Sequence, residues 1–240
     1  MCDDSALKGL YCIGLGPGDP ELITIKALKI LQTAGEIQVP KGSIASSLAM
    51  DILRSIGGLD GKLSELDFSM AKTPEDRQGH WNRRAEKIIS MIETTGYCVC
   101  VTIGDPTIYS TMGYLIKAVK GTSEAVPITI VPGISSIQVA AVATAEPLAI
   151  GNDSFGVVPL PDRKDELLDL LSLHKRLVCM KVAKRLSVAV SWLEDLEDQY
   201  DVRLVRRASM PDQKIYVGID EIRNANGNLS ILIIEKKSGD

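Results

Sequence analysis

The residue types able to do chemistry in this chain gather in three short segments. Gly104 to Thr111 reads Gly-Asp-Pro-Thr-Ile-Tyr-Ser-Thr and comes straight off the apolar run Tyr97 to Ile103. A buried strand opening into such a loop is where α/β proteins bind small molecules. The segment carries four hydroxyls and one carboxylate. Asp105 could accept hydrogen bonds from a ligand's ammonium or hydroxyl groups. Thr107, Ser110 and Thr111 could equally cap the helix that follows, and Tyr109 could simply pack.

The second segment, Gly14-Leu-Gly-Pro-Gly-Asp-Pro20, follows an apolar run and precedes a helical pattern starting near Leu22. It superficially resembles a dinucleotide fingerprint, but Asp19 stands where the third glycine belongs. A carboxylate there repels a pyrophosphate at a helix N-terminus, and two prolines remove backbone donors that a phosphate cradle needs. A rigid turn lining a pocket, or a stiff connection with Asp19 near the helix start, fits better. The third segment, Val131-Pro-Gly-Ile-Ser-Ser136, ends another apolar run and enters a small-residue helix over Val139 to Ala145. Ser135 or Ser136 could cap that helix or face a ligand.

These segments need strands to position them. Apolar runs at Leu10 to Gly14, Glu36 to Val39, Tyr97 to Ile103, Ile128 to Val131, Phe155 to Val158 and Leu177 to Val182 read as strands. Helical spacing lies between most of them, as in Leu22, Ile25, Leu28 and Leu31, or Leu48, Ile52 and Ile56. That alternation predicts an α/β protein with a mostly parallel sheet. Val202 to Val205, Lys214 to Val217 and Leu229 to Glu235 are joined by turn signals and predict antiparallel strands in a mixed sheet. Lys120 to Pro127 reads as a polar linker, placing a boundary near residue 121 and domains over 1–120 and 121–240. In a parallel sheet all three loops gather at the carboxyl edge.

Composition narrows the function classes. The chain has 240 residues, 45% of them hydrophobic, and a formal net charge of −4, which offers no general attraction to nucleic acid or anionic membranes. The first nine residues lack a cationic start and an apolar signal core, and no apolar run approaches about 18 residues. The expectation is a soluble cytoplasmic protein. Cys2, Cys12, Cys98, Cys100 and Cys179 are odd in number, and with two histidines they imply neither a disulfide framework nor a metal site. Cys98 and Cys100 read as small buried side chains on one strand face.

The three loops, in this order, resemble the tetrapyrrole methylases, methyltransferases that use S-adenosylmethionine without the usual Rossmann-type fold. Weaker echoes are Val178-Cys-Met-Lys181 and Arg207-Ala-Ser-Met-Pro-Asp-Gln213, so the resemblance covers nearly the whole chain. Val39-Pro-Lys-Gly42 with Ser46-Ser-Leu-Ala49, His80-Trp81-Asn82 and the Tyr-Ser-Thr ending narrow it to members that methylate a precorrin at a meso carbon in cobalamin biosynthesis. A methylase of the same fold acting at another tetrapyrrole position, or on a diphthamide precursor, is the rival. Two departures are Gln213, where an acidic residue is common, and Asn152-Asp153-Ser154, where Gly-Asp-Glu often stands.

The resemblance implies two α/β domains of the class III type, a mostly parallel N-terminal and a mixed C-terminal sheet, S-adenosylmethionine in the cleft between them, and a homodimer. It assigns Pro17, Ile103, Gly104, Asp105, Ile108, Ser135, Ser136, Met180 and Ala208 to the cofactor, and a tetrapyrrole as the acceptor. No protein-bound metal is implied. Loop position makes Asp19 and Tyr109 the candidates for a general base. Lys41, Arg83 and Arg84 are candidates for the substrate's carboxylates, against solvated surface charge as the alternative. His80, Trp81 and His174 read as structural.

Overall fold

The computed structural model describes residues 7–41, 44–67 and 74–237. The chain forms two compact units, residues 1–135 and 136–240.

The first unit is built on β1 (Gly9–Gly14), β2 (Ile37–Pro40), β3 (Leu63–Leu66), β4 (Tyr97–Thr102) and β5 (Ile128–Val131). They form one sheet in the order β3-β2-β4-β1-β5, and every pairing is parallel. Near-continuous apolar sequence in β1 and β4 matches burial on both faces. The helices are α1 (Ile25–Thr33), α2 (Ile44–Ile56), α3 (Pro74–Thr95) and α4 (Met112–Thr122). Ala85 and Ile88 of α3 and Leu115 and Val119 of α4 pack with Leu10, Cys12, Cys98 and Cys100 on one face. α2 lies against β2 and β4, and its buried Leu48, Ala49, Ile52 and Leu53 follow the period of a helix with one apolar stripe.

The second unit carries α5 (Ser136–Thr144), β6 (Phe155–Pro159), α6 (Lys164–Leu173), β7 (Arg176–Met180), α7 (Leu186–Leu193), β8 (Tyr200–Arg206), β9 (Lys214–Val217), α8 (Gly218–Arg223) and β10 (Ser230–Lys236). Its sheet runs β6-β7-β10-β8-β9, with β6 and β7 parallel and the other pairs antiparallel. Leu167, Leu171, Leu177, Cys179, Val190, Leu193, Leu204, Ile222, Leu232 and Ile234 form its core. The mixed sheet is as its turn-rich sequence predicts.

Three details depart from the sequence reading. β3 was not foreseen, because Leu-Ser-Glu-Leu has no apolar run and lies half-exposed at the sheet edge. The chain after Asp19 makes a 3₁₀ turn over Pro20–Leu22, and α1 begins only at Ile25 behind Thr24, whose Oγ1 accepts the Ala27 N–H at 3.2 Å. The polar stretch after Lys120 does not separate the units. It holds the end of α4 and the turn into β5, which pairs with β1, so the units divide after Ser135. A short polar turn between helix and strand has the same composition as a linker, and only strand pairing tells them apart.

Cys12, Cys98, Cys100 and Cys179 are buried free thiols. Burial pushes the Cys12 and Cys179 thiols up to about 12, so neither forms thiolate at neutral pH. We expect none of the four to react with a disulfide reagent at pH 8 until denaturant is added. Rapid native labelling of Cys12 or Cys179, mapped by mass spectrometry, would contradict the packing described.

Candidate functional site

β4, β1 and β5 are adjacent and parallel, so the three chemically interesting loops leave the same edge of the first unit's sheet side by side. Their backbones are joined directly. The Leu15 N–H bonds the Thr102 carbonyl at 2.9 Å, and Gly16 and Gly104 exchange two backbone bonds, Gly104 N–H to Gly16 O at 2.6 Å and the reverse at 3.3 Å. Gly16 and Gly104 sit at φ +81° and +66°, a region that side-chain-bearing residues rarely adopt.

Three glycines form the centre of this junction. A Cβ on Gly14 would lie 2.6 Å from both the Gly104 carbonyl oxygen and the Gly133 nitrogen. On Gly133 it would lie 2.2 Å from that same oxygen and 2.9 Å from Gly14 backbone atoms. Sequence reasoning quoted these glycines within motifs but missed their joint role. The available signal was one Gly at the head of each loop, and what it lacked was the strand order that makes the loops neighbours.

Asp105 ties the loops together. Its buried carboxylate accepts the Thr107 N–H at 2.7 Å and the Thr107 hydroxyl through Oδ1, and the Gly133 N–H at 3.0 Å through Oδ2. The reading of this side chain as a ligand acceptor is therefore replaced by one in which it clamps the second loop to the third. Thr107 belongs to that clamp and does not cap α4. Ser110 does the capping: its Oγ accepts the Met112 N–H at 3.2 Å and sits 3.0 Å from Thr102 Oγ1. Tyr109, at φ +49°, and Ile108 are large side chains left 40% and 37% exposed on this loop. Ile103 and Gly104 are half-buried beside them, and Pro17 is buried in the first loop. Asp19 Oδ1 accepts the Glu21 N–H at 2.9 Å and caps the 3₁₀ turn.

Ser135 is buried at the end of the third loop, and Ser136 opens α5 in the second unit. In that unit β7 and β8 are both antiparallel to β10, so half-buried Met180 and buried Ala208 come off the same edge of their own sheet. Ala208 lies between Arg207 at φ +50° and Ser209 at φ +67°. The Gln213 side-chain oxygen accepts the Ser209 N–H at 2.8 Å, a bond that a carboxylate could make equally, so this departure from the family pattern leaves the turn closed. Asp153 accepts from Lys175 at 3.1 Å, and that contact holds its carboxyl below the usual range. It anchors its own loop.

Of the cationic candidates, Arg84 is corrected. It is buried, pairs with Asp67 at 3.0 Å, and is neither a surface charge nor open to a substrate. Desolvation lowers its pKa. Arg83 is exposed, and Lys41 is exposed and 3.5 Å from Glu65. Trp81 is buried and stacks on Tyr114 at 5.6 Å, and His80 meets its edge at 6.1 Å, both packing as expected. Among the described residues no three His, Cys, Asp or Glu side chains group to hold a metal ion, and no helix is long and apolar enough to cross a membrane.

The charge of the loops states what they can hold. Gly14–Pro20, Ile103–Thr111 and Pro132–Ser135 contain two carboxylates and no Lys, Arg or His. A phosphorylated ligand is disfavoured there, whereas a cationic one is favoured by simple electrostatics. A sulfonium carried on an adenosyl group fits both that charge and the exposed apolar surface of Ile108.

A parallel sheet with three fused glycine loops is joined in sequence to a mixed sheet. The chain belongs to the tetrapyrrole (corrin/porphyrin) methylases, which match it over residues 9–222. It is similar to a probable cobalt-precorrin-2 C(20)-methyltransferase of Methanocaldococcus jannaschii, with 35% identity over 96% of this chain and 97% of the relative. The cobalt-precorrin-2 C(20)-methyltransferase of Salmonella typhimurium is 27% identical over 90% of each chain. In fold it is similar to uroporphyrin-III C-methyltransferase from Thermus thermophilus, solved with S-adenosylhomocysteine, at a TM-score of 0.66 and 21% identity over 95% of this chain and 97% of that one.

Proposed function

We propose that this enzyme transfers the methyl group of S-adenosylmethionine to carbon 20 of precorrin-2 or cobalt-precorrin-2 in cobalamin biosynthesis. The observation that carries the cofactor half is the Gly14, Gly104 and Gly133 junction, a backbone-lined meeting of three loops that carry no basic side chain. Likeness to the two C(20)-methyltransferases supports the acceptor half. The cofactor is assigned to Pro17, Ile103, Gly104, Ile108 and Ser135 in the first unit, with Asp105 contributing backbone contact, and to Ser136, Met180 and Ala208 in the second. A homodimer is the proposed working form.

The methyl of a sulfonium is already activated. An electron-rich meso carbon attacks it in line with the departing sulfur, forming the C–C bond as the S–C bond breaks, and the electron pair leaves on sulfur. What the protein must supply is orientation, which is worth on the order of 7–11 kcal/mol of a barrier in favourable cases. Loops fused through their backbones and clamped by Asp105 suit that task, because a rigid edge holds its geometry without side-chain ordering. Any chelated cobalt belongs to the substrate and needs no protein ligand.

Removal of the proton from the methylated carbon needs a base, and Asp19 and Tyr109 are the proposed candidates. Asp19→Asn and Tyr109→Phe are each assayed by single turnover with saturating acceptor. The base variant is expected to lose about 10²-fold or more in rate. Unchanged single-turnover rates in both variants would remove both from the role.

The decisive assay is anaerobic incubation with S-adenosylmethionine and each acceptor, followed by mass spectrometry and NMR. Gain of one methyl at carbon 20 is expected. Methylation at another carbon would favour a sister activity of the same fold, and no methylation of either acceptor would overturn the assignment.

A further inference from the structure

The strand order places a cation beside the cofactor loops. β2 pairs with β4 in the register Ile37 to Val99 and Gln38 to Cys100. β2 ends at Pro40 and β4 at Thr102, so Lys41 leaves the carboxyl end of the strand next to the one that leads into Ile103. The donor loops occupy the carboxyl ends of β4, β1 and β5, so the exits of β2 and β3 are the neighbouring ground on the same edge.

Lys41 is held there by its backbone, with its ammonium exposed. Its N–H bonds the Leu66 carbonyl at 2.9 Å, fixing the exit of β2 to the end of β3. The next residue, Asp67, is gripped by Arg84 from α3: one guanidinium nitrogen lies 3.0 Å from its carboxylate and the Nε–H donates to its carbonyl. Arg84 lies 5.0 Å over the Trp81 ring, which stacks on Tyr114 in the first turn of α4. The side chain of Lys41 is 63% exposed, and its 3.5 Å contact with the half-exposed Glu65 is a surface ion pair of the kind a substrate carboxylate readily displaces.

We propose that Lys41 binds a peripheral carboxylate of the tetrapyrrole acceptor, and that Arg84 is a positioning residue that sets Lys41 through Asp67 and Leu66. The inference rests on the proposed acceptor and deepens it by naming a substrate contact. An acceptor lying over the ends of β2 and β3 sits next to a methyl donor over β4, β1 and β5, which the in-line transfer requires.

The test uses the full chain with precorrin-2 under anaerobic conditions. Lys41→Met is expected to raise KM for the tetrapyrrole about tenfold, as loss of one charge-assisted contact does, with kcat and the Kd of S-adenosylmethionine within twofold of wild type. Lys41→Arg restores most of the affinity, because only the charge is needed. Arg84→Lys raises the same KM in the wild-type background and adds nothing in the Lys41→Met background. An unchanged tetrapyrrole KM in Lys41→Met overturns the proposal, as does a matching loss of cofactor affinity, and an additive Arg84→Lys effect overturns the positioning role. Failure of wild type to methylate precorrin-2 or cobalt-precorrin-2 refutes the acceptor reading itself and is told apart by that control.

Discussion

Gly133→Ala is expected to destabilise the protein by about 3 kcal/mol, at the upper end of overpacking costs, and to weaken S-adenosylmethionine binding a hundredfold or more. The new methyl would lie 2.2 Å from the Gly104 carbonyl oxygen and 2.9 Å from the Gly14 backbone, and none of these atoms belongs to a flexible side chain that can swing away. The loops must therefore separate, and the Gly16–Gly104 backbone pair is the contact that opens. Gly113→Ala is the control. It lies in α4 with nothing within 4 Å of its Cβ, so the same substitution there stabilises by about 0.5–1 kcal/mol through helix propensity. Thermal melts should separate the two variants by about 7–16 °C, and calorimetric titration reads the cofactor affinity. A Gly133→Ala protein with wild-type melting and binding would show that the three loops are not packed as described.

The second large effect is at Asp105. Asp105→Ala leaves the Thr107 N–H, the Thr107 hydroxyl and the Gly133 N–H without their acceptor in a part-buried place. The expected cost is about 3 kcal/mol, since hydrogen bonds to a charged group contribute about 1.5–3 kcal/mol each and relaxation recovers some of it. Asp105→Asn does not rescue. Its single oxygen can serve Thr107 or Gly133, and its amide nitrogen then points a donor at the other N–H. Were the carboxylate a ligand acceptor and nothing more, the asparagine variant would melt like wild type and lose only cofactor affinity. A clamp predicts that melting temperature and affinity fall together, and an unshifted melt in Asp105→Asn would sink it.

Much of the fold was legible because its signals are local. Alternation of apolar runs with helical spacing is written in β1, β4 and β5 and the helices around them, and burial on both faces makes β1 and β4 near-continuous apolar runs. β3 escaped because an edge strand needs little apolar surface, and the unit boundary was misplaced because β5 declares its partner only through pairing. The site was legible as three loops, since Gly and Pro after a strand mark a turn whatever surrounds them. The inward role of Asp105 was not, because its partner at Gly133 lies 28 residues away. Arg84 was misread for a related reason. A charge flanked by charges in sequence looks solvated, and its burial against Trp81 and Asp67 follows from packing between α3 and the end of β3.

By itself, then, the sequence determined the class of fold, the three loops and the absence of basic residues within them, because composition and local spacing are properties of a single chain segment. Tertiary structure decided which glycines must stay glycine, which carboxylate faces inward, and that Lys41 stands one strand from the donor loops. Those depend on strand order and register, which bring together residues that the chain itself keeps far apart.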